Sequence, residues 1–65
     1  MYKNKIKQYR KEKQMTMKEL AIKTNISEGY ICHLEKGTRR NPSTKVMEKI
    51  AKVLNKKITE VFFQE

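Results

Sequence analysis

The stretch from Lys18 to Gly37, KELAIKTNISEGYICHLEKG, restricts what this chain can fold into more than any other, because it encodes two short helices with almost no chain between them. Met17, Leu20, Ala21 and Thr24 recur at i, i+3, i+4 and i+7, which lines them along one helix face and requires that face to be buried. Thr16 stands just before this helix and Glu19 three residues later, the spacing at which each side chain satisfies an orphan backbone donor of the other. Met15 and Leu20 can close over them as a hydrophobic staple. Asn25 tolerates positive φ and so can turn the backbone without a glycine, leaving Ile26 to tuck beneath the turn. Ser27 is a good N-cap for the second helix, whose apolar set is Ile31 and Leu34, and Gly37 suits the left-handed position that ends it.

Two such helices cannot lie antiparallel and both bury these faces. They must cross steeply, and Ala21 is small enough to let them approach. This is helix-turn-helix geometry, in which the second helix stands out from the body and can enter a DNA major groove. Helix pairs with no nucleic-acid role share the spacing, so spacing alone leaves the function open.

Nearly all of the chain resembles one family. IKQYRKEKQMT, from Ile6 to Thr16, is similar to the first helix and entry turn of the phage repressor and Cro proteins, also called XRE-type regulators. KELA, then Asn25 to Ser27, then YICHLEKG resemble their helix-turn-helix. Asn41 to Ser43 (NPS), KIAKVL from Lys49 to Leu54 and ITEVF from Ile58 to Phe62 resemble their last two helices. The first half is especially similar to small Firmicute regulators of the biofilm and sporulation repressor type. The resemblance implies an all-α, five-helix, lambda-repressor-like DNA-binding domain over residues 1–65, with the helix-turn-helix at residues 17–36.

Sixty-five residues allow one domain, close to the lower limit for a core unaided by metals or disulfides, in which about 60% of the unfolded chain's surface can be buried. Sixteen Lys and Arg against seven Glu and no Asp give a net charge of +9, which suits a polyanionic partner and rapid, salt-sensitive association. A single cysteine excludes an intrachain disulfide and fits a reducing compartment. No apolar run approaches membrane-spanning length and the N-terminus lacks the apolar core of a signal peptide, so the expected location is cytoplasmic.

Tyr2 to Gln14 is rich in lysine and places Ile6, Tyr9, Arg10 and Lys13 at helical spacing. A basic amphipathic helix can lie on a membrane, but this apolar face is too poor to bind one strongly. In the resembling proteins an arginine at the position of Arg10 pairs with a glutamate near the end of the recognition helix, the place held here by Glu35. The resemblance thus implies a partly buried Arg10–Glu35 pair; the alternative is two exposed, unpaired side chains. After Gly37, TRRNPS is a turn segment in which Pro42 disfavours helix for Asn41. Arg39 and Arg40 lie beside the reader's end, where arginine can grip phosphate with its forked donors, a solvated basic loop being the alternative.

Ser43 or Asn41 caps a fourth helix, in which Met47, Ile50, Ala51 and Leu54 repeat the apolar stripe with Val46 and Val53 on its flank. Asn55 ends it left-handed, and Ile58 to Phe63 forms a short closing helix. Lys57 is a poor N-cap, so this last helix is expected to fray or lean on a partner. Val46, Val53, Phe62 and Phe63 offer more apolar surface than so small a core needs, which points to a symmetric homodimer unless Phe62 completes the monomer core. Taken as a whole protein, the chain leaves no room for an effector domain or a long oligomerisation tail.

With Ile31 and Leu34 turned inward, Gly29, His33 and Lys36 point outward, Glu28 and Cys32 flank them, and Tyr30 lies on the opposite edge. The resemblance puts base contacts at the first residues of this helix and one turn later, which are Ser27, Glu28, Gly29 and His33. His33 can donate to a purine acceptor edge and Glu28 can accept from a cytosine amino group. Glu28 departs from the family pattern; a carboxylate beside phosphates is unfavourable without a specific contact, which makes it a device for rejecting wrong sequences. Gly29 presents no side chain and lets the backbone approach the groove. Phosphate contacts are expected from Lys18, Tyr30, Lys36, Arg39 and Arg40, with the dipole at the N-terminus of the helix that starts at Met17 adding to them.

Cys32 and His33 are adjacent, so their side chains diverge by about 100° on a helix and cannot share an ion. No metal-site spacing, acid–base pair or glycine-rich phosphate loop is present, and the expectation is no enzyme, no metal, no cofactor and no small-molecule ligand. Cys32 reads as a small flank residue, with a redox switch as the alternative. The sequence therefore points to a transcriptional regulator, a repressor by promoter occupancy, bound to double-stranded DNA as a dimer with half-sites about 34 Å apart. One alternative is an antitoxin or antirepressor that binds protein through the same fold. Another is a basic RNA-binding module, which calls for stacking aromatics on an open face that this chain does not assemble.

Overall fold

The computed structural model describes residues 4–37 and 42–62. These form five helices: α1 (Ile6–Glu12), α2 (Met17–Thr24), α3 (Glu28–Lys36), α4 (Thr44–Leu54) and α5 (Ile58–Phe62). Each contributes to one core: Ile6 from α1, Leu20 and Ala21 from α2, Ile31 and Leu34 from α3, Ile50, Ala51 and Leu54 from α4, and Val61 and Phe62 from α5. Because no helix buries its face without the others, the core is a joint product of the whole chain. Loss of one buried Leu, at about 2–5 kcal/mol, would remove much of a small domain's stability.

The helix boundaries follow from side chains. Thr16 Oγ1 accepts the Glu19 N–H at 3.0 Å while the Glu19 carboxylate accepts the Thr16 N–H at 2.8 Å, closing the start of α2 as the spacing predicts. Accepting that N–H, and next the hydroxyl contact of Thr16, holds the Glu19 carboxyl below its ordinary pKa. Its folded pKa being depressed, the cap is intact above the unfolded carboxylate range and is lost as pH falls through the folded value. Ser27 and Ser43 cap α3 and α4 through the N–H groups of Tyr30 and Val46.

Four helices end on a residue of positive φ: Gln14 after α1, Asn25 after α2, Gly37 after α3 and Asn55 after α4. After α1, α2 and α4 the two backbone bonds of a Schellman motif follow, including Met15 N–H to Arg10 O, Ile26 N–H to Ala21 O and Lys56 N–H to Ala51 O. Asn25, Gly37 and Asn55 were legible in sequence. Gln14 was not; it follows α1, which spans Ile6–Glu12. Of the lysine-rich stretch from Tyr2 to Gln14, the residues before Asn4 lie outside the described residues.

Two further readings are corrected. Lys57 does not leave α5 uncapped, because the Glu60 carboxylate accepts the Lys57 N–H at 2.8 Å. Phe62 is 3% exposed and belongs to the monomer core, so it is not available to a dimer contact. It joins Ile6 and Leu54 in that core. Val46 and Val53 are half-buried against the same core, and Phe63, the remaining dimer candidate, lies outside the described residues, as does Asn41.

Candidate nucleic-acid interface

The sequence of α3 divides it into an inner and an outer face, and the fold respects the division. Ile31 and Leu34 are fully buried, whereas Ser27, Glu28, Gly29, His33 and Lys36 are exposed and Tyr30 and Cys32 are half-buried. The four residues assigned to base contact are each exposed, Ser27 as the N-cap and Glu28, Gly29 and His33 within α3. Ser27 Oγ is engaged as an acceptor by the Tyr30 N–H at 3.1 Å, which leaves its hydroxyl hydrogen as the donor to offer outward. Lys18 is exposed in the first turn of α2, and Lys36 in the last turn of α3. Arg39 and Arg40 lie outside the described residues.

The N-terminus of α2 offers less to a phosphate than the sequence suggested. Its N-cap N–H is already occupied by the Glu19 carboxylate, whose negative charge offsets the helix dipole there. The exposed Lys18 side chain is the cation carried by the first turn of α2.

What orients the outer face is a set of polar ties behind it. Arg10 Nε donates to Glu35 Oε2 at 2.8 Å and Arg10 Nη2 to Glu35 Oε1 at 3.1 Å, a two-pronged pair whose side chains are 9% and 7% exposed. Arg10 Nη1 donates to the Met15 carbonyl at 2.8 Å, so one guanidinium joins α1, the α1–α2 turn and α3. A second tie was missed in the sequence. Asn4 Nδ2 donates to the Leu34 carbonyl at 2.8 Å, and Asn4 Oδ1 accepts the Ile6 N–H at 3.1 Å. The side chain thus satisfies one orphan group at the start of α1 and shares an acceptor at the end of α3. Its signal was a capping residue type just ahead of an apolar periodic segment.

Gly29 has a telling setting. A Cβ built on it meets nothing within 4 Å, and its φ is not in the left-handed region, so the fold does not require glycine there. Replacing Gly29 with Ala is expected to stabilise the folded chain by about 0.5–1 kcal/mol, because glycine is the costlier residue in a helix. If the Gly29 backbone approaches DNA, the same change weakens duplex binding. Thermal melts and binding titrations of Gly29→Ala read the two effects separately, and unchanged affinity would remove Gly29 from the contact surface.

Among the described residues no group of three or more His, Cys, Asp or Glu side chains could hold a metal ion. Nor is any of their helices long and apolar enough to cross a membrane.

A profile of the helix-turn-helix family matches residues 6–61. The transcriptional regulator SinR of Bacillus subtilis is 42% identical over 50 residues, covering 77% of this chain but 45% of its own length. The chain thus spans less than half of that relative. An uncharacterised HTH-type transcriptional regulator of Methanocaldococcus jannaschii is 41% identical over 63 residues, covering 97% of this chain and 94% of its own. Among solved structures, the biofilm master regulator SinR in complex with DNA superposes with a TM-score of 0.80 at 39% identity, over 83% of this chain and 86% of that one. The buried faces of α2 and α3, the caps that separate them and a family match running from α1 to α5 lead to one assignment: the chain belongs to the XRE-type helix-turn-helix family.

Proposed function

We propose that this chain is the sequence-specific double-stranded DNA-binding domain of a transcriptional regulator, acting as a repressor on a pseudo-palindromic operator. The observation that carries this reading is the two-sided character of α3. Its inner side is buried and tied to α1 through Glu35, while Glu28, Gly29 and His33 are exposed along the helix and Ser27 is exposed at its N-cap. A helix held this rigidly can present donors and acceptors to base edges without reordering on contact. The similarity to SinR, whose domain is solved with DNA, supports the same partner for this chain.

In this reading Ser27, Glu28 and His33 read bases, Gly29 admits the backbone, and Lys18, Tyr30, Lys36, Arg39 and Arg40 contact phosphates. One α3 reaches only a few base pairs, so useful selectivity requires two copies on adjacent half-sites about 34 Å apart. Of the apolar residues assigned to contact between the copies, Val46 and Val53 are described and remain outside the fully buried core.

Two substitutions separate the roles. His33→Ala is expected to change the preferred base at its position, costing about 1–3 kcal/mol of discrimination, whereas Lys36→Ala weakens all duplexes by a similar factor and lowers the salt slope by about 1 per chain. The check is affinity across duplexes that differ by one base pair at each position of the site. If both variants weaken every duplex alike, the outer face of α3 is not the reader.

A further inference from the structure

Outside the α3 surface, a groove among the described residues combines an apolar side chain with charge of a single sign. This groove, of about 460 Å³, lies between the C-terminal end of α2 and α4, lined by Lys23, Thr24, Asn25, Lys49, Lys52 and Val53. Val53 is half-buried, the three lysines and Asn25 are exposed, and among the described residues no acidic side chain lines the groove. Lys52 also borders a neighbouring groove between α4 and α5, where Ala51 lies beside Lys56 and Lys57. The acid there, Glu60, already receives the Lys57 N–H. The two grooves make a lysine-bordered track along α4 that contains none of the residues assigned to DNA contact.

We infer that this track is a docking surface for an acidic, amphipathic segment of a partner protein. The choice of occupant follows from chemistry. An apolar floor rewards aliphatic or aromatic side chains, which a phosphate backbone does not supply, and the lysine border rewards carboxylates at the edges of the same segment. A second copy of this chain is the poorer fit, since two-fold symmetry would set Lys49 and Lys52 of one copy against their equivalents. Val53, a dimer candidate on sequence grounds, is thereby reassigned to a heterologous contact.

The test uses a phage-displayed library of random 16-residue peptides selected against the whole chain in the presence of saturating duplex DNA. The expected result is enrichment of peptides that combine Asp or Glu with Leu, Ile or Phe at helical spacing. Their affinity should fall about tenfold or more in the Lys49→Glu/Lys52→Glu variant, as for loss of complementary charge, while its melting temperature and its order of preference among duplexes hold. The milder Lys49→Gln/Lys52→Gln variant gives the same ordering if charge reversal disturbs α4. Several outcomes overturn the inference: no enrichment, peptides that bind both variants as tightly as the parent, or a duplex salt slope that drops in the glutamine variant, which would make the track a phosphate contact. Self-association in sedimentation that the same substitutions alter would assign the track to a second copy instead.

Discussion

Arg10→Ala is expected to destabilise the domain by about 3–5 kcal/mol, because it strands the Glu35 carboxylate in a site where its side chain is 7% exposed and leaves the Met15 carbonyl without its guanidinium donor. For a domain of this size the whole stability is about 3–10 kcal/mol, so the variant stands near the edge of unfolding. Its melting temperature should fall by at least about 12 °C. The double variant Arg10→Met/Glu35→Leu removes both charges at similar volume and should recover most of the loss, since the desolvation of the pair is removed with it. Thermal melts followed by circular dichroism distinguish this from an exposed pair, whose removal costs about 0–1 kcal/mol. A loss that small would mean that α3 is held by packing and Asn4 alone.

Why this pair was legible while the Asn4 tie was not is a matter of redundancy. Arg10 falls on a face already marked by Ile6 and Tyr9, and a resemblance named its partner; Asn4 reaches a backbone carbonyl thirty positions away, which no side-chain pattern encodes. The same contrast runs through the fold. The capping box of Thr16 and Glu19 and the left-handed Asn25 and Asn55 follow from residue types with a local preference. Gln14 has no such preference and takes positive φ because the Gln14 and Met15 N–H groups then reach Lys11 O and Arg10 O and complete the end of α1. Phe62 looked like spare surface because the sequence counts apolar residues without counting the volume they fill. The outer face of α3 was read from phase alone, and exposure follows that phase at Glu28, Gly29, His33 and Lys36. The lysine track escaped because it joins α2 to α4, residues far apart in the chain.

The second large effect is ionic. If two copies engage DNA through about six to ten phosphate contacts, affinity should fall by about 10³ to 10⁵ between 50 and 200 mM salt. With Lys18, Tyr30, Lys36, Arg39 and Arg40 supplying these contacts, removal of any one cation from both copies should flatten the slope by about two. The net charge of +9 alone would produce some slope with any duplex. What separates specific from merely cationic binding is that the slope should respond to Lys36→Ala and not to the glutamine substitutions at Lys49 and Lys52. A slope equivalent to fewer than about three contacts, measured with long duplexes, would contradict a dimer held mainly by the rim of α3.

The most direct test of the claim that α3 reads duplex sequence is selection from a random duplex pool at about 150 mM salt. Enriched duplexes would then be titrated for affinity and stoichiometry. The expected product is a two-fold motif, with half-sites about one helical turn apart, bound by two chains. Failure to enrich any motif, with only weak and salt-labile binding to every duplex, would contradict the claim.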